Sequence, residues 1–151
     1  SKLDSGEFDA IVLAQAGLSR LAIERYDACP FSVAECLPAP GQGALGIEII
    51  TDSPVRALLE KLSDSKVSRC VEAERGISAG LGADCALPVA AHGVLEANGD
   101  IHLRALVAEA DGSRIIRAEA KGGEPGQLAK EVVEQLLSHG AAGILANARR
   151  L

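Results

Sequence analysis

Aromatic side chains are nearly missing from this chain of 151 residues; Phe8, Tyr26 and Phe31 are all it has. Aliphatic side chains must therefore fill any core, and a 48% hydrophobic composition supplies enough of them. Methionine is absent and the chain opens on Ser1-Lys2-Leu3, so it is expected to be a fragment or processed piece. No apolar run reaches the ~18–20 residues of a membrane-spanning helix, and no signal-peptide pattern opens the chain. A basic excess is missing as well. Residues 1–64 hold five basic and ten acidic side chains, a net −5, and residues 65–151 hold ten and eleven, a net −1. Neither half suits a phosphate backbone, which excludes nucleic acid as an expected partner. Cys29, Cys36, Cys70 and Cys85 form no C-x-x-C pair. Reduced thiols in a cytoplasmic protein fit this pattern better than a disulfide framework. His92, His102 and His139 lack metal-site spacing, so no metal is expected.

One stretch stands out among what is present: Gly80-Leu81-Gly82-Ala83-Asp84-Cys85-Ala86-Leu87-Pro88. Gly80 and Gly82 can take the positive φ that ends a helix, and Pro88 prevents its resumption. Cys85 thus sits on a loop between a helix-like and a strand-like run. Local chemistry alone reads it as a buried small hydrophobe, because a helix C-terminus and the adjacent Asp84 raise a thiol pKa. A thiol in this setting needs a strong electrophile to react.

Earlier in the chain, Phe8-Asp9-Ala10-Ile11-Val12-Leu13-Ala14 reads as a strand buried on both faces. A short helix or turn over 15–24 follows it, carrying Arg20 just past the strand's C-terminal end, where open α/β sheets bind ligands. Read locally, Arg20 is a solvated charge. Leu37-Pro38-Ala39-Pro40-Gly41-Gln42-Gly43 imposes a fixed path with close backbone approach, as interdomain crossings often do. Gly41-Gln42-Gly43 is too short for a phosphate loop and lacks the following Lys-Ser/Thr. Residues 44–50 read as a second strand. Ser53 and Pro54 then cap a helix with Val55, Leu58, Leu59 and Leu62 on one face.

A new unit begins near Ser63-Asp64-Ser65. Val67, Cys70, Val71, Glu74, Ile77 and Leu81 keep helical spacing, with Cys70 in the apolar stripe. Glu72, Glu74 and Arg75 read as solvated helix charges. Beyond Pro88 comes a meander: a strand over 89–97, an Asn98-Gly99 hairpin, a strand over 101–107, an Asp111-Gly112 turn and a strand over 114–119. His102, Arg104, Arg114 and Arg117 are expected on its exposed face. Residues 127–139 give the clearest helix, ended by Gly140, and a small-residue helix over 141–150 closes an α+β domain.

Taken in order, these segments resemble the C-terminal half of porphobilinogen deaminases, also called hydroxymethylbilane synthases. The resemblance rests on residues 8–21, on Leu37-Pro38-Ala39-Pro40-Gly41-Gln42-Gly43-Ala44-Leu45-Gly46-Ile47-Glu48, on Ala73-Glu74-Arg75, on residues 82–89 and on Leu103-Arg104-Ala105-Leu106-Val107. It implies α/β plus α+β architecture: pieces of two periplasmic-binding-protein-like α/β domains, then a C-terminal α+β domain with a three-stranded antiparallel sheet covered by helices. Residues 1–36 would end the family's second domain, 37–42 would be a hinge and 43–62 a return into the first domain. Residues 63–151 would form the third.

The resemblance also implies chemistry. The family cysteine matching Cys85 carries a dipyrromethane cofactor through a thioether; four porphobilinogen units are added to it with loss of ammonia, and a linear tetrapyrrole is then released by hydrolysis. Deaminated porphobilinogen is an azafulvene, electrophilic enough for a thiol that is not primed. Arg20 matches an arginine that binds the pyrrole carboxylates, a role suited to a guanidinium fork. Gln42 and Gly43 lie where the hinge backbone passes the cofactor. No catalytic residue is expected within the chain, because the family's aspartate and most cofactor-holding basic residues belong to the N-terminal half. That half is the implied partner, in an enzyme expected to be a monomer. The alternative is that residues 63–151 are a small α+β binding or regulatory module, with Cys85 structural.

Overall fold

The computed structural model describes residues 2–23, 28–83 and 87–149. The chain divides into two compact units, Ser1–Ser32 and Val33–Leu151. In the first, the only helix among the described residues is α1, Gln15–Arg20. Its end is closed by the Ile23 amide donating to the Leu18 carbonyl at 3.0 Å, with Ala22 at a positive φ of 50°. The expected strand over 8–14 does not form: these residues join no ladder, and Phe8, Ile11, Val12 and Leu13 are exposed. The segment over 44–50 likewise lies outside any strand, with Leu45, Ile47 and Ile50 exposed. The physical reason is the same for both. A strand exists only where a neighbouring strand pairs with its backbone, and among the described residues no ladder includes either segment.

In the second unit, α2 is only Arg56–Leu59 and continues as a 3-10 turn over Glu60–Leu62. The helix therefore starts later than Ser53-Pro54 suggests, although the Val55 amide does donate to Ser53 Oγ at 3.4 Å. Next comes α3, Ser65–Leu81, capped by Asp64, whose Oδ1 accepts from the Lys66 amide at 2.8 Å and the Val67 amide at 3.2 Å. Strands β1 (Val89–Leu95), β2 (Ile101–Ala108) and β3 (Ile115–Gly122) form an antiparallel sheet in sequence order. Helices α4 (Pro125–Ser138) and α5 (Ala141–Ala148) complete the unit.

The core lies between the helices and one sheet face. Alternation in β2 buries Ile101, Leu103, Ala105 and Val107 and turns His102, Arg104, Leu106 and Ala108 to the other face. Facing the buried set are Ile77 of α3, Leu128, Val132 and Leu136 of α4, and Ile144 of α5, all essentially buried. Each large aliphatic side chain so buried contributes roughly 1.5–3 kcal/mol.

Two glycines let the main helices meet. A Cβ on Gly76 would lie 2.5 Å from Ala129 Cβ, and one on Gly80 would lie 2.9 Å from Val133 Cγ2. Gly80 thus serves packing within α3, while Gly82 alone of the two supplies the left-handed turn, at φ 58°. The outer sheet face departs from a simply solvated one. His102 and Arg104 are half-buried, His102 Nε2 lies 3.2 Å from Glu119 Oε2, and Arg104 Nε is buried with no hydrogen-bond partner among the described residues. Arg114 reaches the His139 carbonyl at 3.3 Å, and Arg117 is exposed as expected.

Candidate functional site

Cys85, with Asp84 and Ala86, lies outside the described residues, but both stems of its loop are defined. On the entry side α3 ends in a Schellman arrangement: the Gly82 amide donates to the Ala79 carbonyl at 3.2 Å and the Ala83 amide to the Ser78 carbonyl at 2.8 Å. Arg149 Nη2 adds bonds to the carbonyls of Leu81 (3.2 Å) and Gly82 (3.0 Å), a cation placed on the negative end of the helix. On the exit side the Pro88 carbonyl accepts from the Ala108 amide at 3.1 Å. The described residues before it are thus held by a helix end and those after it by the sheet.

The segment over 37–43 is docked on the same unit. The Ala91 amide donates to the Pro38 carbonyl at 3.0 Å. Gln42 closes its own turn twice: its amide donates to the Ala39 carbonyl at 3.1 Å, and its Oε1 accepts from the Ala39 amide at 3.1 Å. Gly43 follows in open space, with nothing within 4 Å of a Cβ placed on it. Beneath this turn lies Glu74, which is 6% exposed rather than solvated. Its Oε2 accepts from the Gly41 amide at 2.7 Å; its Oε1 accepts from the Gly93 amide at 2.8 Å and lies 3.3 Å from His92 Nδ1. Helix charges are solvated by default, but this one faces the stripe that α3 buries, and two backbone amides compensate it, with the His92 ring beside it. Its spacing with Cys70, Ile77 and Leu81 was the available signal.

Glu74 also completes the outer edge of β1. Along that edge the amides of Ala91 and Gly93 are met by the Pro38 carbonyl and the Glu74 carboxylate. An edge so occupied cannot recruit a foreign strand. Burial pushes the Cys70 thiol pKa up and Glu74's charge adds to this, against the Leu95 amide and Arg69.

Arg20 stands in the other unit, exposed in the last turn of α1. Gln42 and Gly43 are therefore held beside α3, the helix leading to the cysteine loop, whereas Arg20 is placed only within its own unit. No group of three or more His, Cys, Asp or Glu side chains among the described residues could hold a metal ion. An open depression lined by Glu109, Ala110, Asp111, Ser113, Arg114 and Asn147 does not include Arg20, Gln42 or Gly43.

Residues 1–57 match the family model described as porphobilinogen deaminase, dipyromethane cofactor binding domain, and residues 68–138 match porphobilinogen deaminase, C-terminal domain. The chain belongs to the porphobilinogen deaminase family. It is 45% identical over 148 residues to the porphobilinogen deaminase of Bordetella parapertussis (strain 12822 / ATCC BAA-587 / NCTC 13253), covering 96% of this chain and 47% of that protein. It is 44% identical over 149 residues to that of Acidithiobacillus ferrooxidans (strain ATCC 53993 / BNL-5-31), covering 98% and 48%. To that of Thiobacillus denitrificans (strain ATCC 25259 / T1) it is 43% identical over 147 residues, covering 95% and 48%. The chain thus spans about half the length of the curated porphobilinogen deaminases it matches. Its fold is that of a piece of the family's cofactor-binding domain followed by the C-terminal domain, whose three-stranded antiparallel sheet packs against helices.

Proposed function

We propose that this chain works as the C-terminal half of a hydroxymethylbilane synthase, a transferase that condenses four porphobilinogen molecules, with loss of ammonia, and releases linear hydroxymethylbilane. The observation that carries this reading is the ordered pair of family matches, 1–57 and 68–138, on a chain 45% identical to one relative over 96% of its length. The residues present fit the dipyrromethane group: Cys85 offers a thiol for the thioether, and the described residues on either side of it are held by the end of α3 and by β2. When bound, that group supplies the primer on which the pyrrole chain grows. Cys85 contributes the sulfur of one C–S bond. Arg20 donates charge-assisted hydrogen bonds to pyrrole carboxylates. Gln42 and Gly43 place hinge backbone beside the cofactor.

The domain limits proposed are 1–36 for the end of the second domain, 37–42 for the hinge, 43–62 for the return into the first and 63–151 for the third. The proton donor is an aspartate of the N-terminal half, not Asp84. The partner is that half, the assembled enzyme is a monomer, and the exposed thiols of Cys29 and Cys36 suit the reducing cytoplasm. No helix among the described residues is long and apolar enough to cross a membrane.

Mixing with a separately produced N-terminal half tests the reading. Residues 1–151 alone should form no tetrapyrrole from porphobilinogen, because a general acid must lie within hydrogen-bond reach of the leaving amine. Turnover should appear on mixing. Turnover by the chain alone would misplace the catalytic acid, and none from a folded complex would favour a binding or regulatory module.

A further inference from the structure

The Ala73-Glu74-Arg75 motif contains a buried carboxylate that the proposed chemistry leaves unused. Closing the edge of β1 requires a single acceptor, and Glu74 Oε1 meets that need at the Gly93 amide. Its second oxygen is committed elsewhere, to the Gly41 amide at 2.7 Å, 33 residues back along the chain. Together with the bond from the Ala91 amide to the Pro38 carbonyl, it holds the Pro38–Gln42 turn on the domain. Gly41 takes a left-handed φ of 71°, which aims its amide inward at the carboxylate. Gln42 and Gly43 follow immediately.

We propose that Glu74 is a positioning residue: its carboxylate latches the 38–42 turn to α3 and β1 and so fixes Gln42 and Gly43 relative to the helix that leads to Cys85. The significance of Gln42 and Gly43 rests on the hydroxymethylbilane synthase reading; the latch rests on geometry alone. Glu74→Gln is the discriminating change. A carboxamide has one acceptor oxygen, and its nitrogen is a donor, so the Gly41 and Gly93 amides cannot both keep a partner.

The first readout is amide hydrogen exchange on the 151-residue chain. The Gly41 amide of the wild type should be protected by about tenfold or more, and Glu74→Gln should remove that protection while β2 amides keep theirs. The second readout is the chain assembled with its N-terminal half. Glu74→Gln should raise KM for porphobilinogen several-fold at unchanged cofactor content, whereas a merely structural loss would reduce the amount of active enzyme at unchanged KM. Should the Gln variant not fold, Glu74→Asp keeps the charge but is one methylene too short to span both amides, and should give the same KM rise. Exchange of the wild-type Gly41 amide at the random-coil rate would overturn the latch whatever the complex does. Wild-type KM in a folded variant that has lost Gly41 protection would overturn the positioning role. Absence of turnover by the wild-type complex would instead overturn the hydroxymethylbilane synthase reading.

Discussion

Arg20 stands at the last turn of a short exposed helix, so its replacement probes binding with little penalty to folding. In the assembled enzyme, Arg20→Leu should remove a charge-assisted carboxylate contact that contributes about 1.5–3 kcal/mol, with the fold intact by circular dichroism. Normal kinetics through all four additions would return Arg20 to a surface charge. Cys70 makes the opposite kind of prediction. Burial, chiefly, raises its pKa above the ordinary thiol value, so the folded state favours the neutral thiol. That contribution to stability is full below the unfolded pKa and is lost as pH rises through the higher folded value. Alkylation by iodoacetamide should therefore modify Cys29 and Cys36 first and reach Cys70 quickly only above the ordinary thiol range. Equal rates at Cys70 and Cys36 near neutral pH would contradict it. Cys70 was legible in sequence because an apolar stripe shows which face a helix buries. Glu74 shares that stripe, but spacing says nothing of partners 33 and 19 residues away, and these decide whether an acid can be buried.

At the scale of elements, α3 and α4 touch through Gly76 and Gly80 against Ala129 and Val133. Gly76→Val should destabilise the chain by about 1–3 kcal/mol, the usual result of overpacking, and helix propensity returns only a few tenths. Urea unfolding would measure this, and Ala129→Gly in the same chain should recover part of the loss. An unchanged or higher midpoint for Gly76→Val would show that the helices can part without penalty. The meander of β1, β2 and β3 was legible because Asn98-Gly99 and Asp111-Gly112 punctuate alternating segments that pair with each other. The segments 8–14 and 44–50 have strand-like composition and no such partner among the described residues. Composition reports that a segment can be a strand; only the pairing makes it one.

Across the whole molecule, a packed core joins α3, the sheet, α4 and α5, whereas Val12, Leu45 and Ile50 are all more than three-quarters exposed. Limited proteolysis of the chain alone should cut first within 8–14 and 44–50 and spare 65–81 and 89–148, since cleavage follows local opening. Early cuts within α3 or α4 would contradict that division. The central claim is that Cys85 bears the cofactor, and the mass of this chain after co-production with its N-terminal half tests it most directly. The wild-type chain should carry the added mass of one dipyrromethane, mapped to the peptide containing Cys85, and Cys85→Ser should carry none. An adduct that survives Cys85→Ser, or an active complex whose Cys85 peptide is unmodified, would contradict the claim.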